Sequence, residues 1–465
     1  MLEQSTQMAN TVQEIPPEIW DAAIALNRFG YGGSPGAMET ITGDPRGWLL
    51  AQLEEPPAVP PSLAELPRSD ELVTEMRIAE ASGQSAMRDF RNGIERVTRA
   101  EARRHIGLAM ETPSPFRERL VRFWCDHFLV SRRNPRVFPL AFAFEREVVR
   151  PYMNGSYVRM LTEAVRHPAF LIQHDNVSSI GRYSIAGTRG AANLKLELSA
   201  AILMRYGFAD GADLSDRDVV ALARMLTGWS VAGPDEPNPG RFVFRSDWHE
   251  PNSKLLFART YPQAGVLEAE AALDWIGRRP VTARRLAEKM ARAFIADTPN
   301  PDLVSDMLDG FTAGGNSLAG MAEGMVLSDH AWSARMQKMK TPEELVLSAH
   351  RAVGQGADGV DEAIAGMTAL GQQPKAAPIA SGWPNQAAAW ASPQQLSERL
   401  DWVYALAERI ALTSELGGGG EAIARFARAV LGPLLSANSF RRLSVSAGGV
   451  EGLALMFSTP EFQRR

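Results

Sequence analysis

The chain has very little cysteine, because Cys125 is the only one among 465 residues. A single thiol excludes a disulfide within the chain and any zinc or iron–sulfur site built from several cysteines of one chain. Cys125 lies inside the aromatic pattern FRERLVRFWCDHF, and a free cysteine in such a pattern usually behaves as a small apolar residue. We therefore predict that Cys125 is buried and is not a nucleophile.

Long apolar runs are also absent, as is a cationic and apolar leader at the start of the sequence. The first residues read MLEQSTQMANTVQEIPP, which is unlike a secretory signal. No later stretch is long and apolar enough to predict a membrane span. We therefore expect a soluble chain that has no membrane span and works in the cytoplasm.

Positive charge is in slight deficit along the chain. Lysine and arginine number 49, aspartate and glutamate number 54, and the formal net charge is -5. A nucleic-acid binder needs an excess of cationic side chains to neutralise phosphates. We therefore expect neither DNA nor RNA to be a general partner.

Apolar residues through most of the chain recur at the three- and four-residue intervals of amphipathic helices. Hydrophobic residues make up 45% of the composition, which is enough for a large helical core. The segment RFVFRSDW, between Val231 and Leu256, alternates as strands do and predicts a short hairpin. The predicted fold is mostly α, a multi-helix body with a small irregular or β-hairpin insertion.

We expect one large helical unit over residues 17–465, preceded by an N-terminal tail at residues 1–16. Residues 413–420 end in four glycines, which is typical of a hinge or linker. The charged segment 70–110 predicts one long helix with a single buried stripe. The segment ALGQQPKAAPIASGWPN predicts an irregular loop that is long enough to suggest a role at a site.

Imidazole and carboxylate groups, which metal binding and proton transfer require, gather in a few short segments. The first, FWCDHF, places Asp126 and His127 on a predicted helix. Adjacent helical positions differ by about 100°, so we expect these two side chains to act separately rather than as a dyad. His127 falls on the apolar face, where it is either a hydrogen-bonded structural residue or a ligand or base.

The second segment, RHPAFLIQHDN, carries His167, His174 and Asp175. Pro168 is typical of a first helical turn, so we predict that His167 caps the helix that follows. His174 and Asp175 end that helix. They are either catalytic or metal-binding residues or simply a polar turn.

Three more candidates lie further along the chain. The segment SDWHEPNSK places His249 and Glu250 on a loop, where chemical groups are often displayed, although a surface turn fits equally well. Glu197 shares a helical face with Asn193, four residues before it. It either faces the same cleft as the other candidates or pairs with a nearby cation.

Six short motifs resemble those of the DUF1800 family of bacterial proteins in the same order, from near Leu26 to the C-terminus. They are FWCDHF, RHPAFLIQHDN, DVVALARMLTGW, HEPNSK, GWPN and STPEFQRR. Members of that family often look exported and are commonly encoded beside a second family, DUF1501. The resemblance therefore implies a DUF1501-like protein as a partner.

One helix departs from the family pattern, which resembles N-E-N-x-A-R-E-L-L-E-L-H-T-L-G. This chain has AANLKLELSAAILMRYG, which keeps Asn193 and Glu197 but replaces several polar groups by apolar ones. The loss favours a partner or scaffold subunit with a degenerate polar site.

The alternative is a hydrolytic or oxidative enzyme that uses either a divalent metal or an acid–base pair. A metal needs three or four converging ligands. Under this hypothesis His127, His174 and His249 are the metal ligands, and one cleft brings together all the candidates: His127, His174, Asp175, Glu197, His249 and Glu250.

Overall fold

The computed structural model describes residues 16–55, 59–207, 214–379, 381–413 and 418–465. These residues are mostly helical, and two small antiparallel sheets lie between Trp229 and Tyr261. The prediction of a mostly α fold with a small β insertion is confirmed. Residues 1–15 of the predicted tail and residues 414–417 of the predicted hinge lie outside the described part.

Many helices begin with proline in the first turn, where its fixed φ fits and its missing N–H leaves no bond unmade. The helices before the sheets are Pro17–Ile24, Ala37–Ile41, Pro45–Glu54, Pro61–Ala64, Ser69–Ala81, Gln84–Glu111, Pro115–His127, Ala141–Phe144, Arg150–Tyr152, Tyr157–Arg166, Pro168–Gln173, Glu197–Ala201 and Asp216–Met225. Turns of π-helix extend or join some of them, namely Ala25–Phe29, Glu145–Val149 and Ile202–Gly207, and a further one, Gly187–Ala191, stands apart.

The charged segment 70–110 forms two helices, so the prediction of one long helix is wrong. Ser69–Ala81 ends before Gly83, and Gln84–Glu111 starts after it. Gly83 has a φ of 99°, a left-handed conformation that glycine adopts without a Cβ penalty and that ends a helix.

The two hairpins form the β insertion. Trp229–Val231 pairs antiparallel with Phe242–Phe244, which belongs to the RFVFRSDW segment. Lys254–Leu256 pairs in the same way with Arg259–Tyr261 and packs against helix Asp216–Met225. The predicted β insertion in this region is confirmed, but RFVFRSDW supplies one strand and not the whole hairpin that was predicted from it.

The second half of the chain is helical again. Its helices are Val266–Gly277, Pro280–Phe294, Pro301–Ala313, Leu318–Leu327, Pro342–Ala352, Val360–Ala369, Pro393–Thr413, Gly420–Leu431, Ala437–Ser444, Gly449–Ser458 and Pro460–Gln463. Between Gln372 and Pro393 the described chain is an irregular loop with one short 3₁₀ turn, Ala387–Ala389.

Buried apolar side chains from Ala22 to Phe462 form one contacting cluster. Helix Pro115–His127 contributes Phe116 and Trp124, which are fully buried, and burying each such side chain stabilises the fold by about 1.5–3 kcal/mol. Cys125 is buried beside them, as predicted. Within the described ranges, none of the helices combines the length and apolar character that a membrane crossing requires.

Candidate functional site

A small cleft lies between helix Pro115–His127, helix Pro280–Phe294 and the irregular loop. Its volume is about 100 Å³, so it accepts one small chemical group rather than a whole ligand. We call it the Asp126 pocket. Its walls include four aromatic side chains and charged groups of both signs: Tyr31, Phe123, Phe294, Trp383, Arg119, Arg122, Asp126, Lys289, Glu343, Glu344 and Arg465.

A directed chain of hydrogen bonds leads from this pocket into the core. Lys289 Nζ lies 3.2 Å from His127 Nδ1, and His127 Nε2 lies 3.0 Å from Tyr157 Oη. The Tyr157 hydroxyl donates to the backbone carbonyl of Tyr206 at 2.7 Å. Because that hydroxyl proton is used, Tyr157 accepts from the Nε2–H of His127, which leaves Nδ1 to accept from Lys289.

Burial disfavours the charged forms of both the His127 imidazole and the Lys289 amine. It lowers the pKa of His127 well below the usual value, and the positive charges of Lys289 and Arg285 lower that pKa further. Burial also lowers the pKa of Lys289 to about 8; Asp126 acts in the opposite direction. His127 is therefore neutral, and Lys289 changes protonation slightly above neutral pH.

The pKa of Asp126 is raised, whereas the pKa of Lys289 is lowered. Burial raises the pKa of Asp126 to about 6, the charge of Glu343 adds to the rise, and the cation of Lys375 opposes it. Its Oδ1 accepts from the backbone N–H of Trp383 at 3.4 Å. Asp126 and His127 thus have different partners, which agrees with the expectation that they act separately.

Ion pairs neutralise the other charges of the pocket. Arg122 Nε lies 2.9 Å from Glu343, and Glu344 receives Arg119 and Arg465 at 2.7 Å each. The hydroxyl of Tyr31 is buried and has no hydrogen-bond partner in the described part of the chain. Burial and the nearby carboxylates raise the pKa of Tyr31, so it is a phenol that can donate. Asp126, Lys289 and Tyr31 are therefore the groups best placed to meet a ligand.

One wall of the pocket is the irregular loop that the sequence singled out. Ser381, Trp383, Pro384 and Asn385 line the pocket. Trp383 packs at 6.2 Å between ring centroids on Trp390, whose Nε1 donates to the carbonyl of Pro384 at 2.7 Å. These contacts within the loop hold the aromatic wall against the cleft.

A buried carboxylate fixes the start of this loop. Glu145 is fully buried and lies 2.5 Å from Lys375 Nζ, 2.8 Å from Arg150 and 2.9 Å from His105 Nδ1. Burial alone would raise the pKa of Glu145, but His105, Lys375 and Arg150 hold it well below its usual value. The ionised carboxylate thus ties Lys375, and with it the loop, to the helical core.

The second predicted segment lies at another cavity, of about 360 Å³. His174 lines this cavity, whereas Asp175 forms ion pairs with Arg136 at 2.7 Å and with Lys195 at 2.6 Å. His167 accepts from the N–H of Ala169 through Nδ1, so its predicted role as a helix cap is confirmed.

The third predicted segment forms a buried cluster in the β insertion. His249 Nε2 lies 3.2 Å from Glu268, which also pairs with Lys254 at 2.6 Å. Lys254 donates to the carbonyl of Glu250 at 2.6 Å, and the Glu250 carboxylate accepts from the N–H of Tyr183 at 3.0 Å. These residues line neither the Asp126 pocket nor the cavity of His174.

The six candidates therefore fall into separate neighbourhoods. His127 is joined to the Asp126 pocket through Lys289, while Glu197 is exposed in the first turn of Glu197–Ala201. His174 stands beside Asp175 at the second cavity, and His249 stands beside Glu250 in the buried cluster. Among the residues that the structure describes, no group of three or more His, Cys, Asp or Glu side chains could hold a metal ion.

Sequence reasoning missed Lys289, although a signal was present. The pattern TARRLAEKMARAF buries Thr282 and Leu286, and Lys289 follows them by seven and three residues, on the same helical face. A lysine within an apolar stripe points to a buried amine. Tyr31 carried no comparable signal, because only the fold brings FGYGG to the pocket.

Comparison with known proteins identifies the family. The family model DUF1800, whose description is "Protein of unknown function", matches residues 24–464. The chain therefore belongs to the DUF1800 family, as the motifs predicted. No curated protein and no solved structure matches the chain.

Proposed function

We propose that this member of the DUF1800 family is an acid–base enzyme in which Asp126 and Lys289 transfer protons. The observation that carries the proposal is a carboxyl with its pKa raised to about 6 and an amine with its pKa lowered to about 8 in one small cleft. General acid–base groups work best when their pKa lies near the working pH. Shifts of this kind in a cleft mark candidate functional sites.

Lys289 is the base in this proposal. One of its N–H bonds is directed at His127 Nδ1, which leaves the lone pair of the neutral amine free to face elsewhere. His127 is held in one tautomer by Tyr157, so it orients the amine without taking its proton. His127 and Tyr157 are therefore positioning residues.

The substrate group that suits this cleft is a small carbonyl or hydroxyl function. The Tyr31 phenol donates to an oxygen, Lys289 removes a proton, and Asp126 in its protonated form returns one. The volume of about 100 Å³ limits what enters to one end of a substrate. The aromatic side chains of Phe123 and Trp383 exclude water around it, which strengthens each charge interaction.

The test is an activity screen with small carbonyl compounds and esters, followed by a pH–rate profile of any hit. We expect a rate that rises with pH up to about 6, stays level to about 8 and falls above it, because the reaction needs Asp126 protonated and Lys289 neutral. Lys289→Met should lower the rate by roughly 100-fold or more. Lys195→Met is the matched control, because Lys195 pairs with Asp175 away from the pocket. An activity that survives in both Lys289→Met and Asp126→Asn would contradict the proposal.

A second function, as a partner or scaffold subunit, is favoured by one exposed surface. Leu396, Leu400 and Tyr404 follow one another at four-residue intervals on helix Pro393–Thr413 and are 43%, 48% and 50% exposed. Leu396 and Leu400 also line an apolar cavity of about 390 Å³, together with Pro460. Exposed apolar surface of this kind marks interaction sites, and a DUF1501-like protein is the partner that the family resemblance implies.

Co-expression with a DUF1501-like protein tests this second function. Leu400→Asp with Tyr404→Asp should abolish co-purification, because charges would enter the apolar surface. Leu267→Asp, at a more exposed leucine on helix Val266–Gly277, should leave it intact. Equal recovery of the partner with both variants would exclude this surface as the interface.

A further inference from the structure

The cavity beside His174 has a lining that differs from that of the Asp126 pocket. It measures about 360 Å³, and no residue lines both sites. Its polar lining is cationic or neutral: Ser131, Arg133, Asn134, Gln173, His174 and Arg205. No Asp or Glu of the described residues lines it.

The two arginines that line this cavity give it positive charge. Arg133 and Arg205 are exposed, and neither forms an ion pair with a carboxylate among the described residues. Arg136, three residues after Arg133, differs because Asp175 pairs with it at 2.7 Å. Within the described part of the chain, positive charge without a carboxylate partner therefore lies at the cavity.

His174 adds a buried polar group without a partner. Its side chain is 7% exposed, and within the described part of the chain its Nε2 has no hydrogen-bond partner. Burial, together with the smaller effect of the charge of Arg205, lowers the pKa of His174 to about 4. A buried polar atom that lacks a hydrogen bond is costly, and a ligand that supplies the bond offsets the cost.

We propose that this cavity binds the phosphoryl group of a small phosphorylated ligand, held by Arg133 and Arg205 with His174 beside them. The guanidinium fork matches phosphate oxygens in a bidentate geometry. A divalent cation would meet two positive charges and no carboxylate of the described residues here, so the chemistry of the lining disfavours a metal at His174. The cavity is larger than a phosphoryl group, and the rest of the ligand would pack on Leu129 and Ile379.

This inference goes beyond the proposed acid–base function and does not depend on it. Leu129, Pro378 and Ile379 supply the apolar part of the cavity. The same loop continues into the wall of the Asp126 pocket through Trp383. The two sites can still be tested apart, because different charged residues carry them.

The experiment is a titration of the full chain with inorganic phosphate by calorimetry, at an ionic strength held constant with sodium chloride. We expect saturable binding of one phosphate in the millimolar range or tighter. Arg133→Gln and Arg205→Gln should each weaken it by about tenfold, as expected for the loss of a charge-assisted bond. Arg136→Gln is the matched control and should change the affinity less than about twofold.

Nuclear magnetic resonance of the histidine ring protons gives a second readout. The signal that disappears in His174→Asn identifies this imidazole, and phosphate should shift that signal with the same midpoint as in calorimetry. Absence of saturable binding would overturn the proposal. Equal weakening by Arg136→Gln and Arg133→Gln would overturn it too, because binding would then reflect general surface charge.

Discussion

Gly382 packs directly on Asp126. A Cβ atom added at Gly382 would lie 2.7 Å from both the Cβ and the backbone oxygen of Asp126, closer than real Cβ atoms approach. Gly382 also has a φ of 88°, which side-chain-bearing residues rarely adopt. The bare glycine thus lets the loop with Trp383 close over the carboxyl, and this burial is what raises the pKa of Asp126.

Gly382→Ala should therefore destabilise the protein and open the pocket. Backbone strain at a positive φ costs about 1–3 kcal/mol, and crowding against Asp126 adds to it. Gly371→Ala is a matched control, because Gly371 has a φ of 85° but open space around its Cβ position. Urea unfolding measures both, and equal costs for the two variants would show that the contact with Asp126 contributes nothing.

Lys289 should undergo reductive methylation by formaldehyde, which is small enough to enter the pocket, at a pH at which ordinary lysines are protonated. We expect a labelling midpoint at about pH 8. Asp126→Asn removes a negative charge that raises the pKa of Lys289, so the midpoint should move to lower pH. Mass spectrometry after digestion follows Lys289, with Lys195 as an internal reference. A midpoint that stays in place would mean that Asp126 and Lys289 do not interact.

Tyr157→Phe should leave the Nε2–H of His127 buried without an acceptor. Such a loss costs about 1–3 kcal/mol in the free energy of unfolding. Tyr404→Phe, at a half-exposed tyrosine, should change it by less than about 0.5 kcal/mol. Chemical denaturation distinguishes the two, and a neutral Tyr157→Phe would contradict the hydrogen-bond directions assigned to His127.

Glu145→Gln should be strongly destabilising, because it leaves buried cations without their counter-charge. Breaking a buried ion pair costs about 3–5 kcal/mol. Asp274→Asn is the control: its pair with Arg278 is exposed, so the change should stay below about 1 kcal/mol.

Acid unfolding tests whether the ionised carboxylate of Glu145 stabilises the folded protein. The folded-state pKa of Glu145 is depressed, so its stabilisation is present above the unfolded-state pKa and is lost as pH falls toward the folded value. The wild-type protein should therefore lose more stability than Glu145→Gln between about pH 5 and pH 3. Parallel curves for the two proteins would mean that the pKa of Glu145 does not differ between the folded and the unfolded state.

The sequence predicted features that depend on near neighbours. His167 as a cap follows from Pro168, the buried face of His127 from the spacing of its helix, and the presence of a strand from the alternation in RFVFRSDW. Gly83 is a glycine in the sequence and could have indicated the break, but the helical periodicity on both sides of it favoured one continuous helix. Each of these signals lies within a few residues of the feature it predicts.

The meeting of distant side chains could not be predicted in this way. His127 and Lys289 are separated by 162 positions in the chain, and Asp126 and Trp383 by 257. Only helix packing and the path of the loop decide those contacts. The histidines were chosen as candidates because of their chemistry. The lysine and the tyrosine of the Asp126 pocket, Lys289 and Tyr31, belong to no recognised sequence motif.

The attachment of Lys375 to Glu145 has a consequence for how a ligand enters. A loop pinned eight residues before Trp383 by a buried ion pair is poorly suited to swing open as a flap. A ligand would therefore bind to a preformed pocket, and the loop would lose little conformational entropy on binding. Selectivity would then come from the fixed width of the pocket entrance, because a molecule too wide to pass the indole of Trp383 could not enter.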